Sequence, residues 1–114
     1  MSQNRDAPAY QEYAAAMIAK FQYRILSLQD RGLLYSMRQE CWVNGGVPAD
    51  KNDLAKVLGF DVFDVAKSLE NVMFFFKIEG NFITCPELDD YKKYLSKRKE
   101  KLSSSGEKGR RINE

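Results

Sequence analysis

The residues of this chain that could do chemistry are unevenly placed. Nine cations, Lys92, Lys93, Lys97, Arg98, Lys99, Lys101, Lys108, Arg110 and Arg111, crowd residues 92–114 against three acids, whereas residues 1–91 hold 9 basic and 13 acidic side chains. A body of net charge −4 therefore ends in a stretch of net charge +6, giving the whole chain +2. Cations at this density can neutralise several phosphates and release their counterions, so the pattern points to a polyanion. A solvated, partly disordered end is the competing reading. Tyr91 and Tyr94 interleave with the cations. They either stack on unpaired bases or pack against the domain.

Other chemistry is poorly represented. Histidine is absent, which removes the commonest general base and metal ligand and every Ser-His or Cys-His nucleophile pair. Cys41, beside Trp42, and Cys85, two residues after Ile83, stand alone and read as buried reduced thiols, although their spacing leaves a disulfide open. No glycine-rich phosphate loop is present. The acid pairs Asp61 with Asp64 and Asp89 with Asp90 read as helix caps and surface charges. No catalytic residue, metal site, cofactor or small-molecule substrate is expected, and the chain reads as a non-enzyme.

The elements that must position these residues fit one domain in 114 residues. No run of about 18 apolar residues spans a membrane and no secretory signal leads the chain, so a cytoplasmic setting is expected. The expected divisions are a disordered N-terminus (1–8), a folded domain (9–102) and a flexible basic tail or linker start (103–114). Tyr10, Ala14, Met17 and Phe21 recur at helical spacing and predict a first helix from Ala9 to Phe21. Ser27 caps a second, with Asp30 in its first turn, Leu34, Met37 and Cys41 facing inward, and Asn44-Gly45-Gly46 ending it. Asp50 opens a short third helix with Leu54, Val57 and Leu58 buried; Gly59 breaks it and Phe60 anchors the core. Asp61 caps a fourth helix to Val72, with Val62, Ala66, Leu69 and Met73 on one side. Two short helices around a glycine turn form a helix-turn-helix pattern.

The period then shifts to two. Phe76 and Ile78 alternate with Lys77 and Glu79, Gly80-Asn81 makes a turn, and Phe82 to Cys85 return. Ile78 is expected opposite Ile83 and Phe76 opposite Cys85 on a buried side. A last helix runs from Glu87 to Leu102 with Leu88, Tyr91, Leu95 and Leu102 as a stripe, and Ser103-Ser104-Ser105-Gly106 follows as a linker. The fold class expected is mostly α with a small β-hairpin: a winged helix-turn-helix with an extra N-terminal helix and a basic C-terminal helix.

In such a fold the second helix of the pair enters the DNA major groove. Here that helix offers Lys67, Ser68 and Asn71 as readers of base edges, and the wing offers Lys77. Asp61, Asp64 and Glu70 leave the helix at net −2, a poor match to phosphate.

Three stretches carry a resemblance. Leu26-Ser27-Leu28-Gln29-Asp30-Arg31-Gly32-Leu33-Leu34-Tyr35, then Trp42-Val43-Asn44-Gly45-Gly46-Val47-Pro48-Ala49-Asp50 with Leu54-Ala55-Lys56-Val57-Leu58-Gly59, then Phe75-Phe76-Lys77-Ile78-Glu79-Gly80-Asn81-Phe82 are similar to motifs of the YdaU-like family of bacterial and prophage-encoded proteins. The tail with Gly106, Lys108, Gly109 and Arg110 is similar too. The likeness runs over roughly residues 9–111. It implies a winged-helix fold, a phage or prophage setting and a role near DNA replication; it supplies no catalytic residue. The leading expectation is a nucleic-acid-associated protein gripping DNA through its basic C-terminal helix and tail. The alternatives are a protein-interaction module, either self-associating or binding a replication protein through the acidic fourth helix or the C-terminal helix, and a sequence-specific transcription regulator.

Overall fold

The computed structural model describes the backbone of residues 8–113 and side chains of residues 8–99. The disordered N-terminus expected over residues 1–8 falls almost wholly outside the described residues.

The N-terminal segment is not the single helix expected from Ala9 to Phe21. It forms α1 (Ala14–Ile18) and α2 (Phe21–Arg24), separated at Lys20, whose backbone is extended (φ −83°, ψ 125°). No local breaker explains this. At the break the Lys20 ammonium lies 5.7 Å from the centre of the Phe75 ring and 3.8 Å from Glu87. Arg24 Nε donates to the Ile18 carbonyl at 2.8 Å, satisfying a group freed by the break. Met17 is buried, but Phe21 lies in solvent.

The second helix is α3 (Leu28–Asn44). The Ser27 hydroxyl accepts from the Asp30 amide at 3.0 Å, and the Asp30 carboxylate accepts from the Ser27 amide at 3.1 Å, so two orphan donors are satisfied together. Leu33, Leu34, Met37, Cys41 and Trp42 are buried as expected. Gly45 ends the helix, and Val47–Pro48 form a short strand, β1, with no counterpart in the sequence reading.

Asp50 caps α4 (Lys51–Leu58), and Asp61 caps α5 (Val62–Val72). Gly59 joins them at φ +74°, a conformation open to glycine at no steric cost. The amides of Gly59 and Phe60 both donate to the Ala55 carbonyl. That tight exit leaves Phe60 on the surface, correcting its expected place in the core; Val57 is also exposed. The buried stripe of α5 is Val65, Ser68, Leu69 and Val72; of the expected Val62, Ala66, Leu69 and Met73 only Leu69 belongs to it, while Val62 and Met73 pack half-buried against the core. The stripe has the i, i+3, i+4, i+7 spacing of a helix packed on one side, and it conceals a serine. α5 packs chiefly against α3.

A 3-10 turn (Met73–Phe75) leads into β2 (Lys77–Glu79), and Gly80-Asn81 turns the chain into β3 (Phe82–Thr84). The sheet is antiparallel in the order β1-β3-β2, with Val47 and Ile78 both opposite Ile83. Ile83 is central and buried, whereas Ile78 stands on an edge strand and is exposed, a correction to its expected burial. The Ala49 amide donates to the Asn81 carbonyl at 2.9 Å and ties the turn to the chain entering α4.

The last helix, α6, runs from Pro86 to Asn113, beyond the Leu102 end and through the Ser103–Gly106 stretch read as a linker. Serine and glycine cost an established helix only about 0.5–1 kcal/mol each. Leu88, Tyr91 and Leu95 pack on the core, and no described residue of α6 after Leu95 does so. The architecture is thus mostly helical with one small antiparallel sheet.

Candidate nucleic-acid interface

The basic surface is built on α6. At 28 residues this helix is about 42 Å long, and the molecule's long axis is 63 Å. Past Leu95, no described residue of the helix packs on the core. Lys93, Lys97, Arg98 and Lys99 are exposed. Lys93 and Lys97, four residues apart, share a face. The side chains of Lys101, Lys108, Arg110 and Arg111 lie outside the described residues.

Lys92 is employed differently. Its ammonium donates to the Cys41 carbonyl at 3.3 Å and stands 5.1 Å from the centre of the Trp42 ring. A cation there complements the C-terminal end of α3. Tyr91 meets Trp42 at 5.7 Å between ring centres, and Tyr10 meets the same indole at 5.5 Å. Tyr91 therefore packs against the domain. Tyr94 stacks beside it at 6.4 Å with rings inclined by 20°, and remains exposed.

The expected base readers of α5 do not form a reading surface. Ser68 is 1% exposed and faces α3, which corrects its placement in solvent. Asn71 donates to both carboxylate oxygens of Asp30 at 3.3 Å. Burial pushes the Asp30 carboxyl upward, but hydrogen bonds from Ser68, Ser27 and Asn71 outweigh it and hold the group below its ordinary range. Lys67 is the one exposed cation of α5, beside exposed Asp61, Asp64 and Glu70. Asp61 is committed to capping, accepting from the amides of Phe63 and Asp64. On the hairpin, Lys77 lies 3.5 Å from Glu79, which offsets its charge locally.

Arg38 is a central polar residue that the sequence reading missed. It is fully buried in α3, donates to the Glu12 carboxylate from Nε (3.2 Å) and Nη2, and lies 3.6 Å from Glu87. It joins the N-terminal segment to the start of α6. The signal was present: Arg38 falls four residues after Leu34 and three before Cys41, on the inward stripe.

The two thiols are buried and unbridged. Cys41 Sγ donates to the Ile83 carbonyl at 3.8 Å and Cys85 Sγ to the Phe75 carbonyl at 3.6 Å. Burial raises both, Cys41 to about 12. Neither has the depressed pKa of a nucleophilic thiolate. Among the described residues, no group of three or more His, Cys, Asp or Glu is placed to hold a metal ion, and no helix is long and apolar enough to cross a membrane.

No known protein family, curated protein or solved structure matches this chain.

Proposed function

We propose that this chain is a cytoplasmic, non-enzymatic winged-helix protein that associates with nucleic acid through α6, in a phage or prophage replication setting. The observation that carries the reading is the exposure of Lys93, Lys97, Arg98 and Lys99 on a helix that leaves the core after Leu95. The winged-helix assignment draws support from the order α3-β1-α4-α5-β2-β3 and from β1 pairing with the hairpin. The setting rests on the family resemblance of the three motif stretches.

Binding of this kind is blind to sequence. It positions the protein on phosphates and reads no base edges. Sequence-specific regulation by α5 is disfavoured, because Ser68 is buried and Asn71 is held by Asp30. Four phosphate contacts would give a salt slope of about −3.6 on duplex DNA, roughly a 150-fold loss of affinity from 50 to 200 mM salt. Fluorescence anisotropy with labelled duplex and single-stranded DNA tests this. Salt-sensitive binding that falls when Lys93, Lys97 and Arg98 are replaced by Gln supports the reading. No binding at low salt, or binding indifferent to those replacements, overturns it.

A further inference from the structure

We infer that the groove between the first turns of α3 and α5 is a docking site for the basic end of α6 from a second copy of this chain. This goes beyond the nucleic-acid reading, which leaves the groove idle. The groove has a volume of about 320 Å³, with Gly32 and Leu33 on one side and Phe60, Asp61, Asp64 and Val65 on the other.

Gly32 is the first reason to expect an occupant. It sits inside helix α3, where glycine is disfavoured relative to alanine. A Cβ built there meets no atom within 4 Å, and the backbone is not left-handed, so the folded monomer has no need of a glycine. Gly59, also in the groove, differs because its φ of +74° accounts for it. A bare Cα on an open helix face admits the close approach of another backbone.

Surface chemistry identifies what approaches. Phe60 is exposed at the lip, and Phe63, in the first turn of α5 with Asp64, is 80% exposed. Asp61 and Asp64 bring two negative charges to the rim, more than the partial positive charge of the helix end cancels. The site therefore fits a cationic helix with an apolar residue and little bulk at the crossing. Residues 97–113 of α6 have that composition. They hold seven cations against Glu100 and Glu107, with Leu102 followed by Ser103, Ser104, Ser105 and Gly106. Their backbone is helical, and no described residue of α6 after Leu95 packs on the core.

Sedimentation equilibrium of the full chain tests the proposal, from roughly 10 µM to 1 mM protein at low and moderate salt. A salt-weakened dimer is expected. Gly32→Ala and Gly32→Leu should each raise its dissociation constant by about tenfold or more while leaving the melting temperature undiminished. Lys97→Glu/Arg98→Glu should do the same to the dimer. An equimolar mixture of the Gly32→Leu and Lys97→Glu/Arg98→Glu chains should recover a 1:1 pair, since one retains the tail and the other the groove. Gly32→Leu, which leaves every cation of α6 in place, should not weaken DNA binding, whereas Lys97→Glu/Arg98→Glu should weaken it, which separates this groove from the phosphate-binding face. A chain monomeric at 1 mM, a dimer indifferent to Gly32→Ala, or variants that fail to complement would overturn the proposal.

Discussion

Asn71, near the end of α5, donates from Nδ2 to both carboxylate oxygens of Asp30 at 3.3 Å, across the seam between α5 and α3. The same carboxylate closes the capping box with Ser27 and is held by Ser68. A residue that reads in sequence as a helix-dipole acid is thus the clamp between two helices. Two of the residues that read as base contacts, Ser68 and Asn71, are its donors.

Asp30→Ala should destabilise the chain by about 2–3 kcal/mol, combining a lost cap with buried polar groups left unpaired. The pH dependence has a definite sign. The folded carboxyl titrates below its ordinary range, so its contribution is present above the unfolded value near 3.8 and is lost as pH falls through the folded value. Urea unfolding at pH 7 and pH 3 should show a large loss for the parent chain. The loss should be smaller for Asp30→Asn, and an equal loss in both would remove Asp30 as its cause.

Glu12→Gln tests the clamp on the N-terminal segment. Arg38 is fully buried, so weakening its main partner leaves an under-compensated charge. A cost of about 3 kcal/mol is expected. Arg38→Met, which removes the charge and keeps the volume, should cost less than Glu12→Gln. Chemical denaturation of both variants decides the order.

Local chemistry explains which parts of this fold were legible. Ser27, Asp50 and Asp61 cap helices, and Gly45 and Gly59 end them, because capping depends on residues within one turn. β1 was invisible: two residues, Val47 and Pro48, become a strand only by pairing with β3 some 35 positions away, as in Val47 with Ile83. At the Lys20 break the side-chain contacts are likewise distant in sequence, to Phe75 and Glu87. On α5 the apolar period fitted two faces; Asp30 on another helix accepts from Ser68, which is buried, and from Asn71, which stays exposed at the seam. The cations of α6 were legible as composition; the diversion of Lys92 to the Cys41 carbonyl was not.

The thiols should be silent until the protein unfolds. Burial raises both, so at pH 8 native Cys41 and Cys85 each hold less thiolate than in the unfolded chain. Labelling with a disulfide reagent should follow global unfolding, with both thiols modified at one rate. Because their folded values lie above the unfolded ones, their contribution to stability is complete below the unfolded value near 9. It declines as pH rises from there toward about 12, the value for Cys41. Rapid modification of either thiol under native conditions would contradict the burial.

The sharpest contrast lies between α5 and α6 in DNA binding. Replacing Lys93, Lys97 and Arg98 by Gln removes three exposed cations without touching a core contact. If each meets one phosphate, the salt slope should fall by about 0.9 per residue, and affinity should drop equally for every sequence. Lys67→Gln should change binding little, since exposed Asp61, Asp64 and Glu70 leave the surface of α5 net negative. Tyr94→Ala should weaken single-stranded binding by about 1–3 kcal/mol if the exposed ring stacks on a base, and leave duplex binding unchanged. Anisotropy titrations of these variants on both substrates at two salt concentrations resolve the three effects. A footprint that depends on Lys67 but not on α6 would reverse the assignment and return recognition to the helix-turn-helix.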